Sequence, residues 1–74
     1  MKPKFIHFVE GELAFGYPAY SIRNNKSGAE LGQIGWYPAW RQYAAHFEDN
    51  TVWSQDCLAD VRAFIQEKNA ENKP

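Results

Sequence analysis

Cys57, His7 and His46 are the side chains best suited to metal binding or nucleophilic catalysis. A cysteine near the start of a helix can have a lowered thiol pKa, which makes it a better nucleophile. However, the sequence contains no H-x-x-x-H or C-x-x-C pair, and neither histidine has a carboxylate at ligand spacing. We therefore predict no metal, no cofactor and no catalytic residue. Cys57 is interpreted as a small apolar side chain on the inner side of a helix.

Glycines and acidic pairs also lack the arrangement that catalysis or phosphate binding requires. Gly28, Gly32 and Gly35 lie in and after a predicted turn, and they do not lead into a helix N-terminus. Acidic pairs perform general acid-base chemistry only where they share a pocket. The pairs here fall in predicted turns and at a helix start, and they are Glu10 with Glu12, Glu48 with Asp49, and Asp56 with Asp60. The sequence therefore predicts a protein that is not an enzyme.

The strongest functional signal is an aromatic segment, residues 36–47, which holds five of the chain's twelve aromatic residues. Arg41 stands beside Trp40 in this segment, and Arg, Trp and Tyr are enriched in interface hot spots. An arginine can also stack on an aromatic ring, with a stabilisation of roughly 0.5–2 kcal/mol. Two interpretations stay open: the segment belongs to the core, or it forms an exposed patch for a partner. The candidate partner-binding residues are Trp36, Tyr37, Trp40, Arg41 and Gln42.

Length and composition predict one small globular domain over residues 1–74. A chain of 74 residues is near the lower limit at which one hydrophobic core is sufficient. Hydrophobic residues make up 45% and charged residues 23%, which is typical of folded proteins. Because aliphatic residues are few, we expect an aromatic-rich core. The ordered part is predicted to span about residues 4–69, and residues 70–74 are expected to fray.

Charge and cysteine content narrow the choice of partner and compartment. The net charge of −1 provides no excess of basic residues for general nucleic-acid binding. A single cysteine excludes an intrachain disulfide, and no signal peptide or membrane-spanning stretch is evident. These features predict a cytoplasmic protein without a membrane partner.

Alternation of side chains predicts strands in the first half of the chain. Residues 4–10 are a predicted strand, followed by a turn at residues 10–12 and a short second strand in which Leu13, Phe15 and Tyr17 would pair back. Residues 19–23 and 30–36 are predicted to form a hairpin around the turn at residues 24–28. One face of the first strand carries Phe5, His7 and Val9, and the other carries Ile6 and Phe8.

Pro38 divides the aromatic segment. Proline cannot donate a ladder hydrogen bond, so residues 36–39 are predicted to bend. Alternation resumes in residues 40–47, which are predicted to form a strand with Tyr43 and Phe47 facing the core. One face would carry Arg41, Tyr43, Ala45 and Phe47, and the other Trp40, Gln42, Ala44 and His46.

Two glycines lie within the predicted strand at residues 30–36. Glycine inside a strand usually indicates a bulge, a strong twist or close approach of another group. An aromatic ring lying over Gly32 and Gly35 is one explanation for them.

The C-terminal segment has the periodicity of an amphipathic helix, predicted over residues 54–69. Ser54 suits the N-cap, Asp56 places negative charge in the first turn, and Trp53 with Leu58 fits a hydrophobic staple. Its apolar stripe consists of Cys57, Leu58, Val61, Phe64 and Ile65. The predicted fold is therefore α+β, with an antiparallel sheet of three to five strands, the helix packed on one face and the other face open.

Several segments occur in an order typical of one group of proteins. They are Asn25-Lys26-Ser27-Gly28, Leu31-Gly32-Gln33-Ile34-Gly35-Trp36-Tyr37, Trp40-Arg41-Gln42-Tyr43 and the helix segment from Cys57 to Ile65. In this combination the chain resembles a class of small, functionally unassigned proteins encoded by bacteriophages and prophages. The resemblance covers residues 20–68, and residues 1–18 lie outside it. It implies a phage or mobile-element origin and a non-enzymatic role, and it transfers no functional residue.

These observations predict a small binding module that docks on a host protein in the bacterial cytoplasm. Inhibition of a defence or regulatory protein by surface occlusion is the most concrete version. Acidic residues would set charge complementarity, and they are Glu10, Glu12, Glu48 and Asp49. The chain is predicted to be a monomer or a homodimer.

Two alternatives belong to other functional classes. In the first, the open sheet face stacks single-stranded nucleic acid, although the net charge disfavours this function. The phosphates would then meet Lys4, Arg23, Lys26 and Arg41. In the second, the protein is a homodimeric structural or assembly component that pairs through an edge strand or the bare sheet face.

Overall fold

A computed structural model describes residues 5–72. Over this range four antiparallel strands form one sheet in the order β1-β2-β3-β4, and one helix follows. The elements are β1 (Ile6–Ala14), β2 (Tyr17–Asn24), β3 (Glu30–Tyr37), β4 (Gln42–Phe47) and α1 (Gln55–Glu71). The predicted α+β fold is confirmed, and the four strands fall within the expected range.

The first hairpin differs from the prediction. The turn expected at residues 10–12 is wrong, because β1 continues through a register irregularity to Ala14. The chain instead turns at Phe15 and Gly16, whose φ angles are 55° and 82°. A two-residue hairpin loop with positive φ at both positions is a type I′ turn, which suits the twist of the flanking strands. Lys4, the predicted start of this strand, lies outside the described residues.

The second hairpin agrees with the prediction. The Asn24 side-chain oxygen accepts hydrogen bonds from the backbone N–H groups of Lys26 and Ser27, at 2.8 and 3.1 Å. Gly28 follows with a φ of 75°, a conformation that glycine adopts without a steric penalty. The Asn-rich turn of the sequence therefore joins β2 to β3 as expected.

The core lies between α1 and one face of the sheet. Its buried members are Ile6, Tyr20, Ile22, Ile34, Tyr43 and Val61. Phe8 of β1 stacks on Phe64 of α1 with ring centroids 4.1 Å apart. Tyr20 meets the same ring edge-on at 4.9 Å. Aromatic rings therefore provide much of the contact between sheet and helix, as the scarcity of aliphatic residues predicts.

The start of α1 is set by its predicted N-cap. The Ser54 hydroxyl accepts a hydrogen bond from the Cys57 N–H at 3.2 Å, which satisfies one free donor of the first turn. Trp53 packs on Phe47 of β4, with ring centroids 4.2 Å apart. Leu58, its predicted partner, is 43% exposed. Trp53 therefore fixes the start of the helix to the sheet.

The end of α1 lies at Glu71, two residues beyond the predicted end at residue 69. Lys68 pairs with Glu71 at 3.3 Å, and the side chain of Asn72 donates to the Lys68 carbonyl at 2.9 Å. These contacts stabilise the last turn and give one of its free carbonyl groups a hydrogen-bond donor, so the helix includes part of the tail that was expected to fray. Residues 73 and 74 lie outside the described range.

Tyr43 links three elements of the fold. Its backbone N–H, at the outer edge of β4, donates to the side-chain oxygen of Asn69 in α1 at 2.6 Å. Its hydroxyl donates to the Pro18 carbonyl at the start of β2, at 2.8 Å. Burial raises the pKa of the Tyr43 phenol above its ordinary value. The helix thus covers part of the β4 edge, which limits its pairing with another strand.

The two glycines of β3 have different surroundings. A Cβ at Gly32 would lie 2.5 Å from the carbonyl oxygen of His46 and 3.2 Å from the Cα of Phe47. The group that approaches Gly32 is therefore the β4 backbone, which corrects the expectation of an aromatic ring. A Cβ at Gly35 would meet only the Cβ of Ala19, at 3.9 Å. The fold therefore requires glycine at residue 32 and tolerates other residues at residue 35.

Candidate interaction surface

The sheet face opposite to α1 is open, as predicted. The strand register places one set of side chains on this outer face, namely His7, Val9, Ala19, Ser21, Arg23, Gln33, Gly35, Tyr37, Gln42, Ala44 and His46. Most of them are small or polar, in contrast to the large apolar residues of the inner face. The outer face has a polar half and an apolar half.

The polar half is connected by its own hydrogen bonds. Ser21 donates to Glu30 at 2.7 Å, and the Arg23 Nε donates to the Ser21 hydroxyl at 3.1 Å. Arg23 also lies 4.0 Å from the Glu30 carboxylate. Gln33 donates to the other oxygen of that carboxylate at 3.4 Å. The Arg23 guanidinium is therefore already engaged and is less available to a phosphate.

The apolar half is a groove of about 370 Å³. Its floor consists of the small residues Ala19, Gly35 and Ala44, and its rim includes Phe15 and Tyr37. Of the described residues that line it, none is Asp, Glu, Lys or Arg. The groove is therefore an uncharged depression with aromatic rings at one end.

An exposed aromatic pair lies in the turn between β3 and β4 beside this groove. Trp40 is 64% exposed and Tyr37 is 38% exposed. Their rings meet edge-to-face with centroids 4.7 Å apart, a geometry that aromatic pairs favour. Arg41, next in the turn, is exposed and has a φ of 53°. Within residues 5–72 no carboxylate forms a salt bridge with its guanidinium.

The predicted strand over residues 40–47 begins two residues later than expected. Trp40 donates its backbone N–H to the Tyr37 carbonyl at 3.1 Å, and Arg41 donates to the Pro38 carbonyl at 3.2 Å. Both residues therefore belong to the turn, so their assignment to alternating strand faces is wrong. The bend predicted at the proline is confirmed, but it extends to Arg41.

The five candidate binding residues do not share one face. Trp36 is half-buried on the helix side, where it stacks on the first tyrosine of β2 with centroids 4.2 Å apart. Tyr37 and Gln42 lie opposite each other on the outer face. Trp40 and Arg41 lie in the turn between them. The aromatic segment therefore contributes both to the core, through its inward residues, and to an exposed surface.

Phe15 is a member of the exposed surface that sequence analysis did not identify. It is 73% exposed, lines the groove and has a φ of 55°. A bulky residue rarely adopts positive φ, because its Cβ approaches the backbone too closely. The Phe-Gly dipeptide between two strand-like runs was the available signal. It was missed because Phe15 was assigned to a strand.

The other candidate groups remain separate from one another. His7 hydrogen-bonds the Asn25 side chain at 2.6 Å, His46 lies on the outer face, and Cys57 is half-buried against the core. Across residues 5–72, His, Cys, Asp and Glu form no group of three or more that could hold a metal ion.

The predicted acidic residues lie near both edges of the sheet. Glu10 and Glu12 are exposed on β1, and Glu48 and Asp49 are exposed after β4. None of them lines the groove. Between Phe5 and Asn72, no helix has both the length and the apolar character needed to cross a membrane.

No family model matches the chain, and no curated protein or solved structure has significant similarity to it.

Proposed function

We propose that this protein is a small non-enzymatic module that docks on a host protein through the exposed turn between β3 and β4. The anchors are Tyr37, Trp40, Arg41 and Gln42. Trp36 lies on the helix side of the sheet and supports them as a core residue. The observation that carries the proposal is the 64% exposure of Trp40, which meets Tyr37 edge-to-face outside the core.

Energetic considerations support this role for the turn. A large aromatic ring left in water contributes little to folding, whereas its burial against a partner contributes strongly to binding. Arg41 adds hydrogen-bond donors in a fixed geometry, which suits recognition of a carboxylate. Binding is therefore expected to concentrate on Trp40 and Arg41.

The biological setting follows from the resemblance to phage and prophage proteins. In this proposal the chain acts in the cytoplasm of a bacterial host and occludes the working surface of a defence or regulatory protein. The acidic residues at the sheet edges would guide the approach of a partner with complementary charge.

Affinity capture from bacterial lysate, followed by mass spectrometry, tests this function. The double variant Trp40→Ala with Arg41→Ala is expected to lose the partner that the wild type retains. The matched control, Val52→Ala with Lys26→Ala, removes one exposed apolar and one basic side chain outside the turn and should retain it. Equal recovery by wild type and the turn variant, with both folded, would exclude the proposed anchors.

The two alternatives have less support in the structure. For single-stranded nucleic acid, Arg23 is engaged by Glu30, and Lys4 lies outside the described residues. For a homodimer, Asn69 covers part of the β4 edge. A salt titration with labelled oligonucleotides and light scattering of the purified protein test these functions directly.

A further inference from the structure

Two hairpin turns at one end of the sheet contain residues in an unfavourable conformation. Phe15 and Arg41 both have positive φ, at 55° and 53°, where glycine or asparagine would be less strained. Asparagine followed by glycine is the preferred pair for a type I′ turn, whereas this chain has Phe15 before Gly16. Backbone strain of this kind is concentrated at functional sites. Both side chains are exposed, so packing in the core does not explain either residue.

The groove between these turns depends on Gly35. Glycine weakens the interior of a strand, and it often occurs where another chain approaches closely. No contact within the described fold requires glycine at this position, because an added Cβ would have ordinary contact with Ala19 only. The missing side chain leaves the groove floor open. Its volume of about 370 Å³ is at the lower end of the range for ligand pockets, roughly 300–1,000 Å³.

The size of the outer face limits what can bind there. Four strands about 4.8 Å apart and eight residues of about 3.3 Å each give a face of roughly 19 by 26 Å, or about 500 Å². A stable pair of folded proteins buries about 800 Å² on each partner. Because hydrogen-bonded polar side chains occupy half of this face, the remaining area suits a short segment better than a second folded domain or a second copy.

The charge around the groove limits the composition of that segment. The described residues that line the groove include His46 but no Asp, Glu, Lys or Arg, so a charged side chain entering the groove would be desolvated without a permanently charged partner. Arg41 is the exposed charge in the adjoining turn, and no described carboxylate forms a salt bridge with it. A partner segment that places an apolar side chain in the groove and a neighbouring carboxylate beside Arg41 would avoid this desolvation and give Arg41 an ionic partner.

We infer that the groove binds a short extended segment of a partner protein, with one large apolar side chain over Gly35 and a neighbouring carboxylate paired with Arg41. Phe15 forms one wall of this site. The inference rests on the proposed docking function and adds the chemistry of the partner to it.

A random heptapeptide display library, selected on the wild-type protein without prior depletion on any variant, tests the inference. Enriched peptides are expected to share a Leu, Phe, Trp or Met within two positions of an Asp or Glu. Synthetic versions, measured by fluorescence anisotropy, should bind Gly35→Val and Phe15→Asn at least tenfold more weakly. Arg41→Asn should weaken binding about tenfold, and Lys26→Ala should leave it unchanged.

The variants are chosen to keep the fold intact. Valine suits an extended strand, and asparagine tolerates positive φ, so melting temperatures should equal or exceed that of the wild type. A library without this shared pattern, or peptides that bind Gly35→Val as well as wild type, would overturn the inference.

Two further results separate this inference from the proposed function. Peptides whose binding depends on Trp40 but not on Gly35 would refute the groove site and leave the docking function in place. Peptides that depend on Gly35 but on neither Trp40 nor Arg41 would refute the turn as the docking anchor and, with it, this inference. Sedimentation that reveals a dimer in the wild type and a monomer in Gly35→Val would assign the groove to a second copy and also overturn the inference.

Discussion

The two faces of this sheet carry different kinds of side chain. The inner face presents large residues to α1 and contains the buried members of the core. The outer face has a floor of alanine and glycine at one end and a hydrogen-bonded polar cluster at the other. Because apolar burial is concentrated on one face, the other can change with little effect on stability. A chain of 74 residues can thus place its core on one sheet face and leave the other face open to solvent.

The two glycines of β3 show the difference between the inner and outer faces within one strand. Gly32 lies on the inner side, opposite Phe47, where the β4 backbone leaves no room for a Cβ. Gly35 lies on the outer side, where only Ala19 is near. One glycine is needed for strand pairing, and the other keeps the groove open. The same substitution at both positions should therefore have opposite effects.

Gly32→Ala is expected to have the largest effect, a loss of about 3 kcal/mol in the free energy of unfolding. The new methyl would overlap the His46 carbonyl oxygen, so β3 and β4 would have to separate locally. Urea denaturation followed by circular dichroism measures the loss. An unchanged midpoint would show that β4 moves away at little cost and that the difference between the glycines is small.

Tyr43→Phe is expected to lower the free energy of unfolding by about 1–2 kcal/mol. The ring remains, but the Pro18 carbonyl loses its hydrogen-bond donor in a partly buried site. Tyr37→Phe is the matched control, since that ring lies on the outer face and is more exposed. Equal effects of the two substitutions would contradict the assignment of stability to the inner face.

The raised pKa of the Tyr43 phenol predicts a specific response of stability to alkaline pH. Its pKa is raised, chiefly by burial, so the folded state favours the protonated phenol more strongly than the unfolded state does. Stability should therefore hold below about pH 10, the ordinary tyrosine value, and decrease as pH rises through the higher folded pKa. Lys68 titrates in the same range, and its pKa is also raised. The useful measurement is thus the difference between wild type and Tyr43→Phe, which should lose less stability above pH 10.

Asn69→Ala is expected to cost about 1 kcal/mol, because the Tyr43 N–H at the β4 edge loses its acceptor. Gln66→Ala, at an exposed position of the same helix, should change stability by less than about 0.5 kcal/mol. Thermal unfolding of both variants measures the difference. If Asn69→Ala behaves like the control, the helix does not stabilise this edge through its asparagine.

Gly35→Ala should have the smallest effect and the opposite sign, a gain of about 0.5 kcal/mol. Alanine loses less conformational freedom than glycine on folding, and its Cβ fits without overlap. The urea midpoint should rise slightly above that of the wild type. A clear decrease would mean that the outer face contributes more to folding than its contacts indicate.

Local patterns in the sequence predicted much of the fold. The Asn24 turn and the Ser54 N-cap form as expected because each is made by hydrogen bonds between residues near in sequence. The first hairpin was misplaced because Glu10-Gly11-Glu12 resembles a turn, whereas the chain turns at Phe15 through positive φ that its sequence does not favour. Residue propensities cannot locate a turn when one of its residues, here Phe15, rarely adopts the backbone conformation that the turn requires.

The candidate surface was predicted less completely than the fold. Trp40 and Arg41 were identified by residue type, but alternation placed them in a strand, and the inward Trp36 was included with them as a candidate binding residue. Phe15 was missed because it joins the surface only when the two hairpin turns lie at the same end of the sheet. Contacts between distant parts of the chain cannot be read from local periodicity.

Side-chain period and residue type were enough to predict the antiparallel strands, the closing helix and the aromatic character of the core. The burial of particular aromatic rings, the need for glycine at residue 32 and the groove bordered by Phe15 and the β3–β4 turn became evident only in the packed fold. Exposure and steric room depend on the neighbours that β1, β2 and α1 supply. Those neighbours are set by the register and packing of the whole sheet.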